Sequence, residues 1–321
     1  MHALPSMLRL LTLNLWFSEK LRYARTRALL DVIQDLQPSV CCFQEVVPEV
    51  ARLLVEGLPG WTASDPGDGS TLGPYGVMAL AAPDVRADFS WHELPTRMGR
   101  RLLVVELGRL AVGTVHLESL ANHPTREAQL AMSTEILRRY SDGLLLGDFN
   151  FDSERNFKPP HQPLENEALA RLAPDFVDLW PALRPEERGL TFDSVTNPYL
   201  GSHEQMRYDR IIARLQNWNA TGIERVGHEP VDPGGLSSQE EQQLQRPPTP
   251  PRPSLKPRSP WAQEPEEPAA RGEPAGVPAR GEETPPRRRG RLFLSDHFGL
   301  LATLAPRTCA VNGPEECGAR P

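Results

Sequence analysis

The chain has 321 residues, with 35 Lys and Arg against 42 Asp and Glu and a formal net charge of −7. That length accommodates one large α/β domain or two ordinary ones, and the acidic balance excludes a global basic footprint for nucleic acid while leaving room for a local basic groove. The four cysteines show neither metal-ligand spacing nor a disulfide framework, which suits a reducing intracellular compartment, nucleus or cytoplasm; no run of about 18 apolar residues exists, so no membrane span is expected.

In chain order, Leu8 to Leu13 is a strand-length apolar run that ends at Asn14-Leu15-Trp16. Leu21, Ala24, Ala28, Val32 and Leu36 then share one face at helical spacing, and Pro38 stops that helix. Ser39 to Phe43 is a second strand ending at Gln44-Glu45, and Pro48 opens a short helix closed by Gly57 and Pro59. Residues 64 to 76, rich in Gly, Asp, Ser and Pro, read as a surface loop before a strand over Val77 to Ala81. Further strands are expected over Phe89 to Leu94 and Leu102 to Leu107, with a hairpin turn at Gly108-Arg109 leading into Leu110 to Val115 and ending at His116-Leu117-Glu118-Ser119. Pro124 can open a helix to about Tyr140. Leu144-Leu145-Leu146 reads as a strand buried on both faces that runs into Gly147-Asp148-Phe149-Asn150. Beyond it come a short helix over Glu165 to Leu172, the apolar-acid segments Phe176 to Trp180 and Leu190 to Asp193, a strand after Arg207-Tyr208-Asp209-Arg210, and another over Ile223 to Val226.

The domain organisation follows from a break in this pattern. From 232 to 290 the chain is Pro, Gly, Glu, Gln and Arg with few large apolar groups, a composition that cannot offset its own chain entropy and is expected to be disordered. Residues 1–231 form the main part of one domain and 291–305 its final strands, ending at Ser295-Asp296-His297-Phe298-Gly299 and Leu300 to Leu304; a disordered tail follows from 306 to 321. The insert thus splits a domain rather than separating two, and its removal should spare the fold. A retained intron would give the same composition.

Strand ends therefore supply Asn14, Glu45, His116, Asp148, Asn150, Asp209, Asp296 and His297. Carboxylates and amides without cysteine form a hard oxygen-donor set suited to Mg2+ or Mn2+ rather than Zn2+. Two histidines can contact or protonate an oxyanion. Together these residue types suit metal-assisted attack of water on a phosphate ester.

Taken in order, Thr12-Leu13-Asn14, Phe43-Gln44-Glu45, His116-Leu117-Glu118-Ser119, Gly147-Asp148-Phe149-Asn150, Arg207-Tyr208-Asp209-Arg210 and Ser295-Asp296-His297-Phe298-Gly299 resemble the endonuclease/exonuclease/phosphatase superfamily. Each motif is weak alone; six in order, each at a strand end, are specific. The resemblance implies the DNase I-like fold, a four-layer α/β sandwich of two mixed β-sheets flanked by helices. It implies Glu45 as the main Mg2+ ligand, with Asn14 and Asp296 near the metal or its waters. It also implies that Asp148 positions and deprotonates water, that Asn150 orients it, that His297 backed by Asp209 stabilises the transition state, and that His116 holds a second phosphate oxygen. Tyr75, Arg100, Ser119 and Phe192 are candidates for substrate contact, with Phe192 and Trp180 more readily core aromatics.

Within the superfamily the pattern is most similar to the tyrosyl-DNA phosphodiesterases, which hydrolyse the bond between a topoisomerase tyrosine and a DNA 5′-phosphate. Arg100 to Leu103, Val177 to Trp180 and Thr191 to Asp193 add to that match, whereas Phe151-Asp152-Ser153 departs from it where those enzymes carry a basic residue. Neutral sphingomyelinases share the Gly-Asp-x-Asn and Ser-Asp-His patterns, so a lipid phosphodiesterase, like a general nuclease, is an alternative. Inositol polyphosphate 5-phosphatases and apurinic endonucleases fit poorly around Arg207 to Arg210. An alternative of another class is an inactive scaffold whose Pro247 to Pro253 segment binds Pro-recognition modules. A monomer acting on a DNA end is the expected state.

Overall fold

The computed structural model describes residues 4–201, 203–231, 239 and 292–307. Two six-stranded mixed sheets face one another. The first has the order β13 (Trp218–Val226), β14 (Gly299–Pro306), β1 (Leu8–Asn14), β2 (Val40–Val46), β4 (Gly76–Ala81) and β3 (Thr62–Ala63). The second runs β5 (Asp88–Glu93), β6 (Arg101–Leu107), β7 (Leu110–His116), β8 (Asp142–Asp148), β12 (Asp209–Arg214) and β9 (Val177–Asp178). A small ribbon pairs β10 (Phe192–Asp193) with β11 (Gln205–Met206).

At the centre of each sheet lies one parallel pair, β1 with β2 and β7 with β8. Parallel neighbours need a crossover connection, and each pair is joined by a helix of 15 residues, α1 (Arg22–Leu36) or α3 (His123–Leu137). The layers are closed by three apolar clusters. One lies between the sheets and includes Leu10, Val112, Leu144, Leu146, Trp180 and Ile211. Another packs the outer face of the first sheet under α1 and α2 (Pro48–Gly57), and the third packs the outer face of the second sheet under α3 and α4 (Glu167–Leu172). The remaining short helix, α5 (Leu179–Leu183), carries Trp180 into the inter-sheet core. This is the expected four-layer arrangement. The triple leucine of β8 is buried on both faces because Leu144 and Leu146 face the partner sheet while Leu145 faces the α3 cluster.

Two local expectations shift. Helix α1 buries Ala24, Ala28, Leu29 and Ile33, while Val32 and Leu36 are only partly covered, so the apolar stripe turns one residue forward along the helix. The closing segment is one strand rather than two: Leu292 makes an isolated bridge to Val231, Val231 N–H donating to Leu292 O at 2.8 Å, and only β14 is a full strand. The chain therefore leaves and rejoins the first sheet at one place. Most of the expected insert, 232–290, and of the tail lies outside the described residues.

Candidate active site

All four central parallel strands end at one edge of the sandwich. Asn14 is in register with Gln44, and His116 with Asp148. The antiparallel neighbours start there: Asp209 pairs Asp148, and β14 begins two residues after His297. Ligands in open α/β sheets collect outside such carboxyl ends. Backbone conformation sharpens the aim. Glu45 sits at a bulge where the β2–β4 register shifts, with φ 56°, and Asn150 also has φ 56°. Left-handed conformations at residues other than glycine carry a cost that the surroundings must hold in place. At Gly147 φ is 130°, and a Cβ would stand 2.0 Å from Val115 O, so only glycine fits one residue before Asp148.

Asp148 is the hub. Its Oδ1 accepts the Asn150 N–H at 2.8 Å and its Oδ2 accepts Asn14 Nδ2 at 3.0 Å, with His116 Nε2 3.4 Å away. Burial alone would push this carboxyl up; His116, His297 and the bonds from Asn150 and Asn14 outweigh it and hold it below the ordinary carboxylate value. Asn14 is fixed in turn by the Trp16 N–H at 3.0 Å, and Asn150 Nδ2 donates to Leu117 O at 3.0 Å.

Glu45 goes the other way. One oxygen accepts the Phe17 N–H at 2.9 Å; the other lies 4.0 Å from His116 Nε2. Burial first, and then the like charge of Asp296, raise its carboxyl to about 7. Asp296, held by Ser295 Oγ at 3.1 Å, is likewise pushed up by burial.

His297 Nδ1 pairs with Asp209 Oδ2 at 2.8 Å. Burial favours the neutral ring, but Asp209, Asp148 and Asp296 outweigh it and keep the imidazolium well above the usual histidine value. Asp209 is thus bonded to His297, while the neighbouring Arg210 bonds Asn166, Asp178 and Phe151 O. His116 is pushed down to about 3, by burial and then by Arg100 and His297 against the pull of Asp148, so it presents a neutral ring.

The substrate-contact candidates also gather here. Arg100, buried, donates to Ser119 Oγ at 3.0 Å, approaches His116 Nε2 at 3.3 Å and lies over the Tyr75 ring at 5.5 Å. Phe192 packs edge-on against His297 at 4.8 Å, brought there by the β10–β11 ribbon rather than by the core. Trp180 does go to the core, its Nε1 donating to Glu187 O at 2.8 Å. Phe151, where the sequence departs from the tyrosyl-DNA phosphodiesterases, is core, and Asp152 accepts the N–H groups of Arg207, Glu154 and Arg155.

Several supporting residues carry no signal of this kind in the sequence. Gln44 bridges the sheets, its Nε2 reaching Thr12 Oγ1 at 3.1 Å and Thr114 Oγ1 at 3.0 Å. Thr191 Oγ1 accepts the Asp209 N–H at 2.9 Å and Asn197 Nδ2 holds Ser295 O at 2.8 Å. Arg25, on the buried face of α1, clamps the carbonyls of Leu15, Trp16, Ser18 and Leu294. A lone arginine beside Ala24 and Ala28 was its one visible cue.

The fold is that of the DNase I-like α/β sandwiches. The family profile "Endonuclease/Exonuclease/phosphatase family" matches residues 11–297, and the chain belongs to that family of hydrolytic enzymes. Among solved structures, the chain is similar to D. rerio TDP2 complexed with single strand DNA product (20% identity, TM-score 0.63, covering 93% of this chain and 99% of that one). It is similar also to TDP2 from C. elegans (16%, 0.60, 93% and 75%) and to the human Nocturnin catalytic domain with bound sulfate (13%, 0.54, 94% of each). At such identities these likenesses speak for the fold. No curated protein matches the sequence significantly. No described helix is long and apolar enough to cross a membrane.

Proposed function

We propose that the chain hydrolyses a phosphodiester by in-line attack of water, with a tyrosyl-DNA 5′-phosphodiester as the substrate class and DNA-end repair in the nucleus or cytoplasm as the setting. The observation that carries this reading is the opposed tuning of groups at one edge: an ionised Asp148 fixed by Asn14 and Asn150, facing a cationic His297 backed by Asp209. Asp148 takes the proton of the attacking water, and Asn150 helps to orient that water. His297 and the neutral His116, with Arg100 beside it, receive the non-bridging oxygens as charge builds on them.

Among the described residues no cluster of three or more His, Cys, Asp or Glu side chains has metal-holding geometry by itself. The donor chemistry nevertheless fits a hard divalent cation: burial, and then the like charge of Asp296, drive Glu45 to about 7 in a place without cysteine. Glu45 would hold Mg2+ or Mn2+, with Asn14 and Asp296 toward its waters. When bound, the ion supplies Lewis-acid polarisation of the phosphoryl group.

Two features favour the tyrosyl-DNA class over a lipid. The chain matches D. rerio TDP2 nearly end to end, and that protein has been solved in complex with a single strand DNA product. The Tyr75–Arg100 pair beside His116 also offers an aromatic and cationic wall. The test is a panel: 5′-phosphotyrosyl oligonucleotide, plain single- and double-stranded DNA, and sphingomyelin, each with Mg2+ or EDTA. The expected result is EDTA-sensitive release of tyrosine from the first. Turnover of sphingomyelin alone overturns the substrate; turnover indifferent to EDTA overturns the metal; a folded protein inert on all four favours a scaffold.

A further inference from the structure

Glu118 is fully buried and lies between two residues of the site, yet its carboxylate points away from it. Oε2 accepts Thr96 Oγ1 at 2.6 Å and Oε1 accepts the Arg97 N–H at 2.8 Å, while Gln129 Nε2 stands 3.4 Å from Oε2. Thr96 Oγ1 in turn accepts the N–H groups of Met98 at 2.9 Å and Arg100 at 3.1 Å. From that fixed backbone the Arg100 guanidinium comes back to Ser119 Oγ and His116 Nε2, on either side of Glu118 in sequence. The path closes on itself, from the Glu118 carboxylate through Thr96 to the Arg100 backbone, and from the Arg100 side chain to the two neighbours of Leu117-Glu118.

The other side of Glu118 is pinned just as firmly. Gln129 Oε1 accepts its N–H at 2.8 Å, Arg126 donates to its carbonyl at 2.6 Å, and Gln129 Nε2 also holds Pro95 O at 2.9 Å. Gln129 and Arg126 are buried, and Arg126 is paired with Glu165. Helix α3 thus anchors Glu118, and Glu118 anchors the 95–100 loop.

Arg100 itself is buried without a carboxylate partner among the described residues, and its Nε–H has no acceptor. A direct ion pair would order that guanidinium but occupy the fork that an anion would use. A carboxylate acting through Thr96 orders the backbone and leaves the fork open. We propose that Glu118 is a positioning residue: by holding Thr96 and Arg97 it sets the Arg100 guanidinium against His116 and Ser119, ready for a phosphate oxygen. Both Glu118 oxygens face donors, so glutamine cannot replace it without turning an amide N–H onto a donor. The geometric half stands alone; the consequence for turnover rests on the proposed role of Arg100 and His116.

The test combines an NMR readout with a double-mutant cycle. In the full-length protein the Arg100 Nε–H is expected as a dispersed cross-peak with slow solvent exchange. Glu118→Gln should collapse it toward the free-arginine position and speed its exchange at least about tenfold; Thr96→Val should do the same and Thr96→Ser should restore it. On the phosphotyrosyl substrate, Glu118→Gln should lower kcat/KM about tenfold in the wild-type background and leave it unchanged in Arg100→Ala. Thr96 is only half-buried, so its variants keep the test alive if Glu118→Gln fails to fold. An Arg100 signal indifferent to both Glu118→Gln and Thr96→Val overturns the proposal, as does an equal loss in both backgrounds of the cycle. A protein inert on every substrate sinks the phosphodiesterase reading instead, and the Nε–H signal then decides the positioning by itself.

Discussion

The molecule contains the same device twice. β1-α1-β2 and β7-α3-β8 are each a parallel pair spanned by a 15-residue helix, and each ends in polar side chains at the shared edge. Their acids are tuned in opposite directions. Glu45 leaves the first unit on a bulge with one oxygen unbonded and its carboxyl raised to about 7; Asp148 leaves the second with two donors on it and its carboxyl lowered. Equivalent strand ends thus yield one carboxyl raised toward neutrality and one held ionised, which the proposed function uses as cation ligand and base. Paired groups whose surroundings separate their proton affinities are the signature of divided labour.

The largest expected effect tests that division. Asp148→Asn keeps the shape and removes the proposed base, and should lower kcat by about 10³, within the range for general acid–base groups. No amount of metal should recover it. Glu45→Gln keeps the Phe17 N–H bond and removes the charge; its loss should be recovered in large part by raising Mg2+ or Mn2+ about 10- to 100-fold. Initial rates over a metal titration separate the two. Recovery of Asp148→Asn by metal, or a Glu45→Gln loss insensitive to it, would show that the two carboxylates do not divide the work in this way.

Much of this contrast was visible in one dimension and some of it was not. Strand ends were readable because buried runs such as Leu144 to Leu146 stop abruptly at Gly147-Asp148, and four such stops with two strand starts, at Asp209 and just after His297, name a family in order. What joins them was hidden, since Asn14 meets Asp148 and Asp209 meets His297 only across the two stacked sheets. Gln44 has no role of its own in the Phe43-Gln44-Glu45 motif, and its bridge to Thr114 on the other sheet exists only once the sheets stack. Glu118 looked like a flanking acid of His116 for the same reason. Phe192 read as a candidate contact but more readily as core, because nothing local reveals that β10 and β11 form a separate ribbon beside His297.

A smaller effect compares the glycines beside the two acids' sheets. A methyl at Gly147 meets Val115 O at 2.0 Å and must also adopt φ 130°; one at Gly299 meets Thr12 O at 2.6 Å with no such backbone constraint. Gly147→Ala should cost about 3 kcal/mol or more and Gly299→Ala roughly half that, read from urea midpoints at constant m. Equal costs would mean that the Val115 clash relaxes freely and that β7 and β8 are not as tightly held as their register implies.

The smallest effect lies at the opposite edge, where each helix hands over to its second strand. The first unit uses a hydroxyl there, Ser39 Oγ accepting the Arg9 N–H at 3.1 Å. The second uses a carboxylate: Asp142 takes the N–H groups of Gln216 and Asn217 at 2.8 Å, Asn217 Nδ2 at 2.7 Å and Trp218 N–H at 3.2 Å. Burial works against the charge, but these bonds win and lower the Asp142 carboxyl. A lowered folded value means stability that is complete above the unfolded value of about 3.9 and disappears as pH falls through the folded one. Asp142→Asn should therefore cost about 1–2 kcal/mol at pH 7, and that cost should shrink steadily below about pH 4. Ser39→Ala should cost about 1 kcal/mol, the same at both pH values. Denaturation of the two variants and the parent at pH 7 and at the lowest pH where the parent still folds decides it: a Ser39→Ala cost that moves with pH, or an Asp142→Asn cost that does not, would place the acid-sensitive turn in the wrong unit.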